Sequence, residues 1–376
     1  MNPTDLLPPT SPLGLPAPLW FIRFFKVFGF SLHMVPMNLW FAGILLSAVL
    51  LLFRDPAARR LSARLMDQMP IIIALGINFG VIPLLFIQVG YYRVFYPATI
   101  LIAWPWFAVI GLVMAGYYGT YLYVVQLRRD RLTPWSRALG WIVAFIFMGV
   151  GFIFVNGLSL MSSPGQWPAV WSAAHLSGAA TGLALDLQNA SILPRWLLMF
   201  GLALTTVAVY SLCDATLLAS REPPEYRAWV PRFALLLYSL GLVWAAAAGT
   251  GYILTMPSAS RSFLLTPPQL ALTVITALAP GLPWLLLILY RWRPARLLVL
   301  LAALSQFGML VLNAVSRQFL QDAEVAPFAA VGAEPVNLQL VPLVLFLLFF
   351  LAGSGVVIWI LVKVRQAETS LATASR

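Results

Sequence analysis

Polar residues interrupt this chain only at long intervals. Between the interruptions lie nine predominantly apolar runs, at residues 27–53, 70–92, 97–127, 136–160, 193–219, 231–255, 268–290, 296–316 and 336–364. A bilayer core about 30 Å thick needs roughly 20 residues of helix to cross it, and each run is long enough. Several open at or beside a proline, as at Pro70, Pro97, Pro134, Pro194 and Pro231, which suits the first helical turn because that N–H has no intrahelical partner. The pattern predicts an all-α, polytopic integral membrane helix bundle in one domain. Nine transmembrane helices occupy residues 27–364, after an external N-terminal tail and interfacial segment (1–26) and before a cytoplasmic tail (365–376). Two connections carry their own signals. In 54–69, Arg59, Arg60, Arg64 and Asp67 sit beside Leu61, Leu65 and Met66, predicting a short amphipathic surface helix. In 161–192, Trp167, Trp171 and His175 predict a short helix lying at the headgroups.

Composition agrees. Of 376 residues, 61% are hydrophobic and only 9% charged, more apolar side chain than the interior of a soluble domain this long can hide. A net charge of +11 would suggest nucleic acid in a soluble protein. Here the Lys and Arg lie almost wholly in the breaks between apolar runs, so the basicity reads as topology and no nucleic-acid partner is expected. One set of alternate connections holds seventeen of them: Arg54, Arg59, Arg60, Arg64, Arg128, Arg129, Arg131, Arg137, Arg221, Arg227, Arg232, Arg291, Arg293, Arg296, Lys363, Arg365 and Arg376. The other holds six: Arg23, Lys26, Arg93, Arg195, Arg261 and Arg317. The positive-inside rule then puts the N-terminus outside and the C-terminus in the cytoplasm, in a multi-pass protein of the inner (cytoplasmic) membrane. Cys213 is the single cysteine, so no internal disulfide is available. The first twenty residues carry Asp5 but no Lys or Arg, unlike a cleavable signal peptide.

Polar groups inside a bilayer are costly, so their positions point to a site. With that orientation His33 and Asn38 fall in the outer half of the first helix, and Gln88 and Arg93 emerge near the external face with Asn78 deeper. Asn156 at the end of the fourth helix, and Asn313, Arg317 and Gln318 at the end of the eighth, are external too. His33 reads either as a structural hydrogen-bonding residue or as a metal ligand. Asn38, Asn78 and Asn156 read first as ties between helices, and Arg317 either snorkels or pairs with an anion. Among the twelve Asp and Glu, only Asp214 falls well inside a predicted span, near its inner end and within reach of water or Arg221. No phosphate-binding Gly-Lys-Ser/Thr motif, Cys-x-x-Cys, Cys-x-x-Cys-His or zinc-type His pair occurs, so hydrolase, ATPase and c-type cytochrome readings lose their usual support.

Several short stretches resemble subunit I of the cytochrome bd quinol oxidases: Phe30-Ser31-Leu32-His33-Met34-Val35-Pro36, Gly76-Ile77-Asn78-Phe79-Gly80-Val81 followed by Phe86-Ile87-Gln88-Val89-Gly90, Phe154-Val155-Asn156-Gly157, and Val315-Ser316-Arg317-Gln318-Phe319. That family is similar in its nine helices, its external N-terminus and a His near the outer end of helix one. The likeness covers most of the chain in topology but only these motifs in residues. The family's further haem ligands have no counterpart: 193–219 contains no His, 268–290 contains no Met, Ala314 stands where the family has a Glu, and Phe86 replaces a second-helix carboxylate. The family's long quinol loop is also missing, since Met256 to Pro267 is short.

The resemblance implies a membrane subunit of a respiratory electron-transfer complex, working with other redox subunits (cytochromes) and, if an enzyme, an oxidoreductase in quinol oxidation. It would bind a quinone or at most a single b-type haem near the outer face. His33 is the candidate metal ligand, and the expected cofactor-binding set is His33, Gln88, Arg93, Asn156, Asn313, Arg317 and Gln318, with Tyr91 and Tyr92 as further quinone contacts. Two alternatives stand beside it. One is a cofactor-free membrane anchor or assembly subunit. The other is a small-molecule transporter, with Pro83, Pro280, Gly281 and Pro283 marking broken helices.

Overall fold

The computed structural model describes residues 3–129 and 131–374. Almost all of it is helix, and nine helices among the described residues are long and apolar enough to cross a membrane. In chain order the helices are α1 (Leu19–Leu50), α2 (Pro56–Gly90), α3 (Tyr92–Leu101), α4 (Ala103–Arg128), α5 (Pro134–Ser162), α6 (Trp167–Ala173) and α7 (Ile192–Cys213). They continue with α8 (Pro224–Thr255), α9 (Ser258–Leu264), α10 (Pro267–Leu278), α11 (Gly281–Trp292), α12 (Arg296–Val325) and α13 (Leu340–Ala374). The chain is therefore a multi-pass all-α membrane bundle. α1 and α7 are its most enclosed spans, whereas no residue in the spanning window of α13 is fully buried.

Some helix ends have a local cause. Asp55 caps α2 by accepting from the Ala57 N–H at 2.8 Å, and Thr133 with Ser136 forms a reciprocal capping box at the start of α5. α10 and α11 together make one span, broken at Ala279 and Pro280 because proline cannot donate to the helical ladder. A π-helical turn, Asp214–Leu218, extends α7.

The core is aromatic and aliphatic: Trp40 and Phe41 of α1, Ile73 of α2, Phe147 of α5, Val207 of α7 and Tyr238 of α8 belong to one buried cluster. α1 and α2 approach so closely that a Cβ on Gly76 would lie 2.2 Å from the Trp40 ring, which leaves room only for glycine. At mid-bundle, Asn38 Nδ2 donates to Thr206 Oγ1 at 2.9 Å, and Gln306 Nε2 donates to Thr205 and Thr206. These bonds tie α1, α7 and α12 together, as expected of Asn38.

Five expectations need correction. α1 starts at Leu19 rather than 27, so Arg23 and Lys26 belong to a spanning helix and not to an external tail. α12 continues to Val325 rather than ending at 316. The surface helix expected at 54–69 is the first half of α2, running unbroken through Pro70, with Leu61, Leu65 and Met66 buried. Asn78 ties no helices: it is exposed and donates to the Ala74 carbonyl of its own helix at 2.8 Å. The expected C-terminal tail is helical as far as Ala374, its last two residues lying outside those described.

The 161–192 connection does contain a short helix, α6, but Trp167 is fully buried and donates to the Leu160 carbonyl at 2.8 Å instead of lying among headgroups. Behind it the strands β1 (His175–Leu176) and β2 (Ala179–Ala180) form a minimal hairpin. Its turn residues Ser177 and Gly178 have φ of 51° and 81°, the double left-handed turn that matches strand twist. At the same end, Leu15 N–H donates to the Pro335 carbonyl and Asn337 N–H to the Leu15 carbonyl, each at 2.9 Å, pinning the N-terminal segment to the lead-in of α13. Gly14 makes this possible. Its φ is 65°, and a Cβ there would fall 2.3 Å from the Pro335 oxygen.

Candidate functional site

Two helix ends meet at the bundle face opposite the arginine-rich end. The N-terminal turns of α1 bring Arg23 and Lys26, spaced i, i+3, and the C-terminal turns of α12 bring Gln318, Gln321 and Asp322, spaced i, i+3, i+4. Both spacings place side chains on one helical face. Tyr91, at the corner between α2 and α3, completes the group.

Lys26 is 8% exposed. Its ammonium donates to Gln321 Oε1 and lies 4.0 Å from the centroid of the Tyr91 ring. The Tyr91 hydroxyl donates to Asp322 Oδ1 and accepts from Gln318 Nε2 at 2.6 Å, and Gln318 Nε2 also reaches Asp322 Oδ1 at 3.0 Å. Arg23 Nε approaches Asp322 Oδ2 at 3.1 Å. The contact is an ion pair by distance, but its angle is poor, and Arg23 Nε has no hydrogen-bond partner among the described residues. One carboxylate thus faces two cations and a phenol in a setting where an unpaired charge costs several kcal/mol.

A second polar group adjoins it. The Arg317 guanidinium lies 4.8 Å from the Phe30 ring, with Arg195 and Glu324 as its charged neighbours. Ser260 Oγ donates to Glu324 Oε1 at 2.9 Å. Arg317 makes no ion pair among the described residues, and the Phe30 ring is its close contact.

His33 lies on α1, seven residues and about 10 Å of helix rise beyond Lys26. Its Nδ1 is 2.8 Å from the Gly76 carbonyl. A carbonyl only accepts, so the proton is on Nδ1 and Nε2 carries the lone pair. The ring packs against Gly80, where a Cβ would lie 2.9 Å from two of its atoms, and meets the Trp40 ring edge-on at 5.8 Å.

The other expected residues are dispersed. Gln88 is half-buried and accepts from the Tyr96 hydroxyl at 3.3 Å. Arg93 Nε holds the Pro8 carbonyl at 2.9 Å. Asn156 is fully buried, accepts from the Asp186 N–H at 3.1 Å, and leaves its Nδ2 without a partner. Asn313 is half-buried on α12 and shows no side-chain hydrogen bond among the described residues. Arg317 and Gln318 are the only two of the expected set that join the polar groups. Sequence reasoning missed Arg23, Lys26, Gln321, Asp322 and Glu324, although the i, i+3, i+4 run Gln318, Gln321, Asp322 was there to be read.

A cleft of about 10 Å³, the space of one water, opens beside this network between Tyr91, Tyr92, Arg93 and Glu334. The Tyr92 hydroxyl lies 3.1 Å from both Glu334 oxygens and accepts from the Ser11 N–H at 2.6 Å. Phe86, standing where the resembled family carries a carboxylate, packs on Phe25 and Phe346 at 5.5 and 5.2 Å, helping to dock α13. Among the described residues no three His, Cys, Asp or Glu side chains gather as a metal cluster. Compared with known proteins, the chain matches no family model and no curated protein.

Proposed function

We propose that this chain is a membrane subunit of a respiratory electron-transfer complex of the inner membrane, binding a quinone or one b-type haem near its outer face. One observation carries the reading. A connected network joins Arg23 and Lys26 of α1 to Gln318, Gln321 and Asp322 of α12 through Tyr91 at the α2–α3 corner, with His33 further along α1 near its middle. A protein that only anchors others has no need of buried charges, which by default mark proton or substrate handling. In this reading a quinol at the outer mouth gives two electrons to the cytochromes of partner subunits and two protons, one taken by the Asp322 carboxylate through the Tyr91 hydroxyl and the other released to the outer water.

His33 suits a haem ligand chemically. Its Nδ1 bond to Gly76 fixes the tautomer and ring orientation and leaves on Nε2 the lone pair that would hold a haem iron. A bound haem would supply one-electron transfer. A reduced-minus-oxidised absorption spectrum of the purified protein tests the proposal. A Soret band present in the wild type and in Asp322→Asn, but lost in His33→Leu, is the expected result for a haem. A chain without a Soret band that retains quinone after lipid extraction takes the quinone reading instead. Neither haem nor quinone leaves the anchor reading, which the water-sized, internally satisfied cleft at Tyr91 favours.

A further inference from the structure

A cavity lies at the other end of the bundle. It has a volume of about 300 Å³ and is lined by Leu51, Arg59, Ser62, Ala63, Tyr123, Leu127, Leu132 and Arg137. Four helix ends frame it: the C-termini of α1 and α4 and the N-termini of α2 and α5. Because all four spans turn there, the cavity lies at the level of the membrane surface. Its lining combines two guanidiniums and two hydroxyls with the apolar side chains of Leu51, Ala63, Leu127 and Leu132.

Among the described residues no acidic side chain lines the cavity, and Asp55 and Asp67, the described carboxylates nearest to it in sequence, are engaged. Asp55 caps α2, and Asp67 pairs with Arg128 at 2.6 Å. Arg59 spends only its Nε, which holds the Phe53 carbonyl at 3.0 Å, so both terminal nitrogens stay available. Arg137 makes no ion pair among the described residues. Ser62 Oγ donates its proton to the Ser47 carbonyl at 2.8 Å and adjoins the Tyr123 hydroxyl, so the two guanidiniums are the donors the cavity offers. Two forked cations lining a roomy cavity match the oxygen array of a phosphate. Apolar walls continuing from it match what a lipid phosphate brings along, and basic pockets between helix ends are where anionic headgroups bind.

We propose that this cavity is a phosphate-binding site at the arginine-rich end, with Arg59 and Arg137 as its two clamps. The phosphate can arrive on an anionic phospholipid or as a soluble phosphate, and the test separates the two. Purified protein is reconstituted in phosphatidylcholine nanodiscs with or without phosphatidylglycerol, and separately treated with inorganic phosphate. Thermal unfolding is followed in wild type, Arg59→Gln, Arg137→Gln and the double variant, with Arg54→Gln as a basic-residue control outside the cavity. A rise in Tm with phosphatidylglycerol that survives Arg54→Gln, falls in each cavity variant and vanishes in the double variant establishes the site and a lipid source. The same pattern with inorganic phosphate names a soluble source. If neither addition raises Tm, or if the double variant responds like the wild type, the site does not exist. Arg59→Lys with Arg137→Lys guards against folding defects: retained stability with a weakened response supports forked recognition, and an unchanged response overturns it.

Discussion

The Lys26 ammonium donates to the side-chain carbonyl of Gln321, joining the second turn of α1 to the last turns of α12 across 295 residues of sequence. Neither residue is placed in a spanning helix by hydropathy alone. Asp322 is the one carboxylate beside Lys26 and Arg23. Asp322→Asn therefore leaves the buried Lys26 and the half-exposed Arg23 uncompensated and is expected to cost about 3 kcal/mol in detergent unfolding, the low end of the usual penalty for breaking a buried pair. Lys26→Met in the same background should recover part of that loss. Additive single and double effects would show that the groups do not interact.

At the arginine-rich end, Arg64 clasps Asp214 with two bonds of 2.6 and 2.7 Å, and Gln68 adds a third at 3.0 Å. The partner of Asp214 is thus Arg64 of α2, not Arg221. Asp214 is 2% exposed in this pair, whereas Asp67 and Arg128 are 48% and 64% exposed in theirs. Asp214→Ala is expected to destabilise by about 3–5 kcal/mol and Asp67→Ala by at most about 1 kcal/mol. Comparable losses in the two variants would refute this ranking by burial.

Glu222 reports on pH. Burial alone would raise its carboxyl, but the hydrogen bonds and charge of Arg60 and Arg64 outweigh burial and hold it below the ordinary glutamate value of 4.5. A lowered folded-state value means that the ionised group stabilises the fold above pH 4.5, and that this stabilisation is lost as pH falls through the lower folded value. The Tm gap between wild type and Glu222→Gln should be full at pH 7 and close on acidification.

Asp186 has the opposite sign. Burial pushes its carboxyl above the ordinary 3.8, and the Asn189 amide at 3.2 Å only partly offsets that. Here the ionised form opposes folding, with no penalty below pH 3.8 and the full penalty once pH exceeds the raised value. Asp186→Asn is expected to raise Tm at pH 8 and to leave it unchanged near pH 3. A loss of stability at pH 8 would mean that the carboxylate holds a partner through its charge.

Orientation is set by charge, so a reporter fused after Arg365 should behave as cytoplasmic and one inserted beside Ser177 as external. The opposite result would move the network around Asp322 to the inside and remove the basis for outer-face quinol chemistry.

The spans were legible because lipid imposes a length: any helix that crosses must be apolar for about 20 residues. What escaped was whatever a distant partner decides. Arg23 and Lys26 look like interfacial flanks until α12 supplies Gln321 and Asp322, and residues 317–325 look like a loop until α1 does. Asn78 and Asn156 carry the same side chain in the same kind of run, yet one faces outward and bonds its own helix while the other is sealed against Asp186. Pro70 and Pro280 were equally visible, but α2 continues through the first while the span of α10 and α11 breaks at the second. Of the candidate site, Arg317 and Gln318 were readable because they fall at a helix end that hydropathy already marks. The carboxylate that holds Gln318 was hidden beyond it.

The bridge between Leu15 and Val336 has a consequence for the order of events during synthesis. The ribosome delivers Val336 only after 336 − 15 = 321 further residues have followed Leu15, which takes roughly 16–64 s at about 5–20 residues per second. Through that interval the segment around Gly14 has no strand to lie against, and Arg23 and Lys26 enter the membrane with α1 before α12 exists to receive them. Their long side chains must wait at the lipid surface. The first helix to be inserted is therefore among the last to be locked, and its final seating doubles as a checkpoint that the eighth span and the lead-in to the ninth have been made.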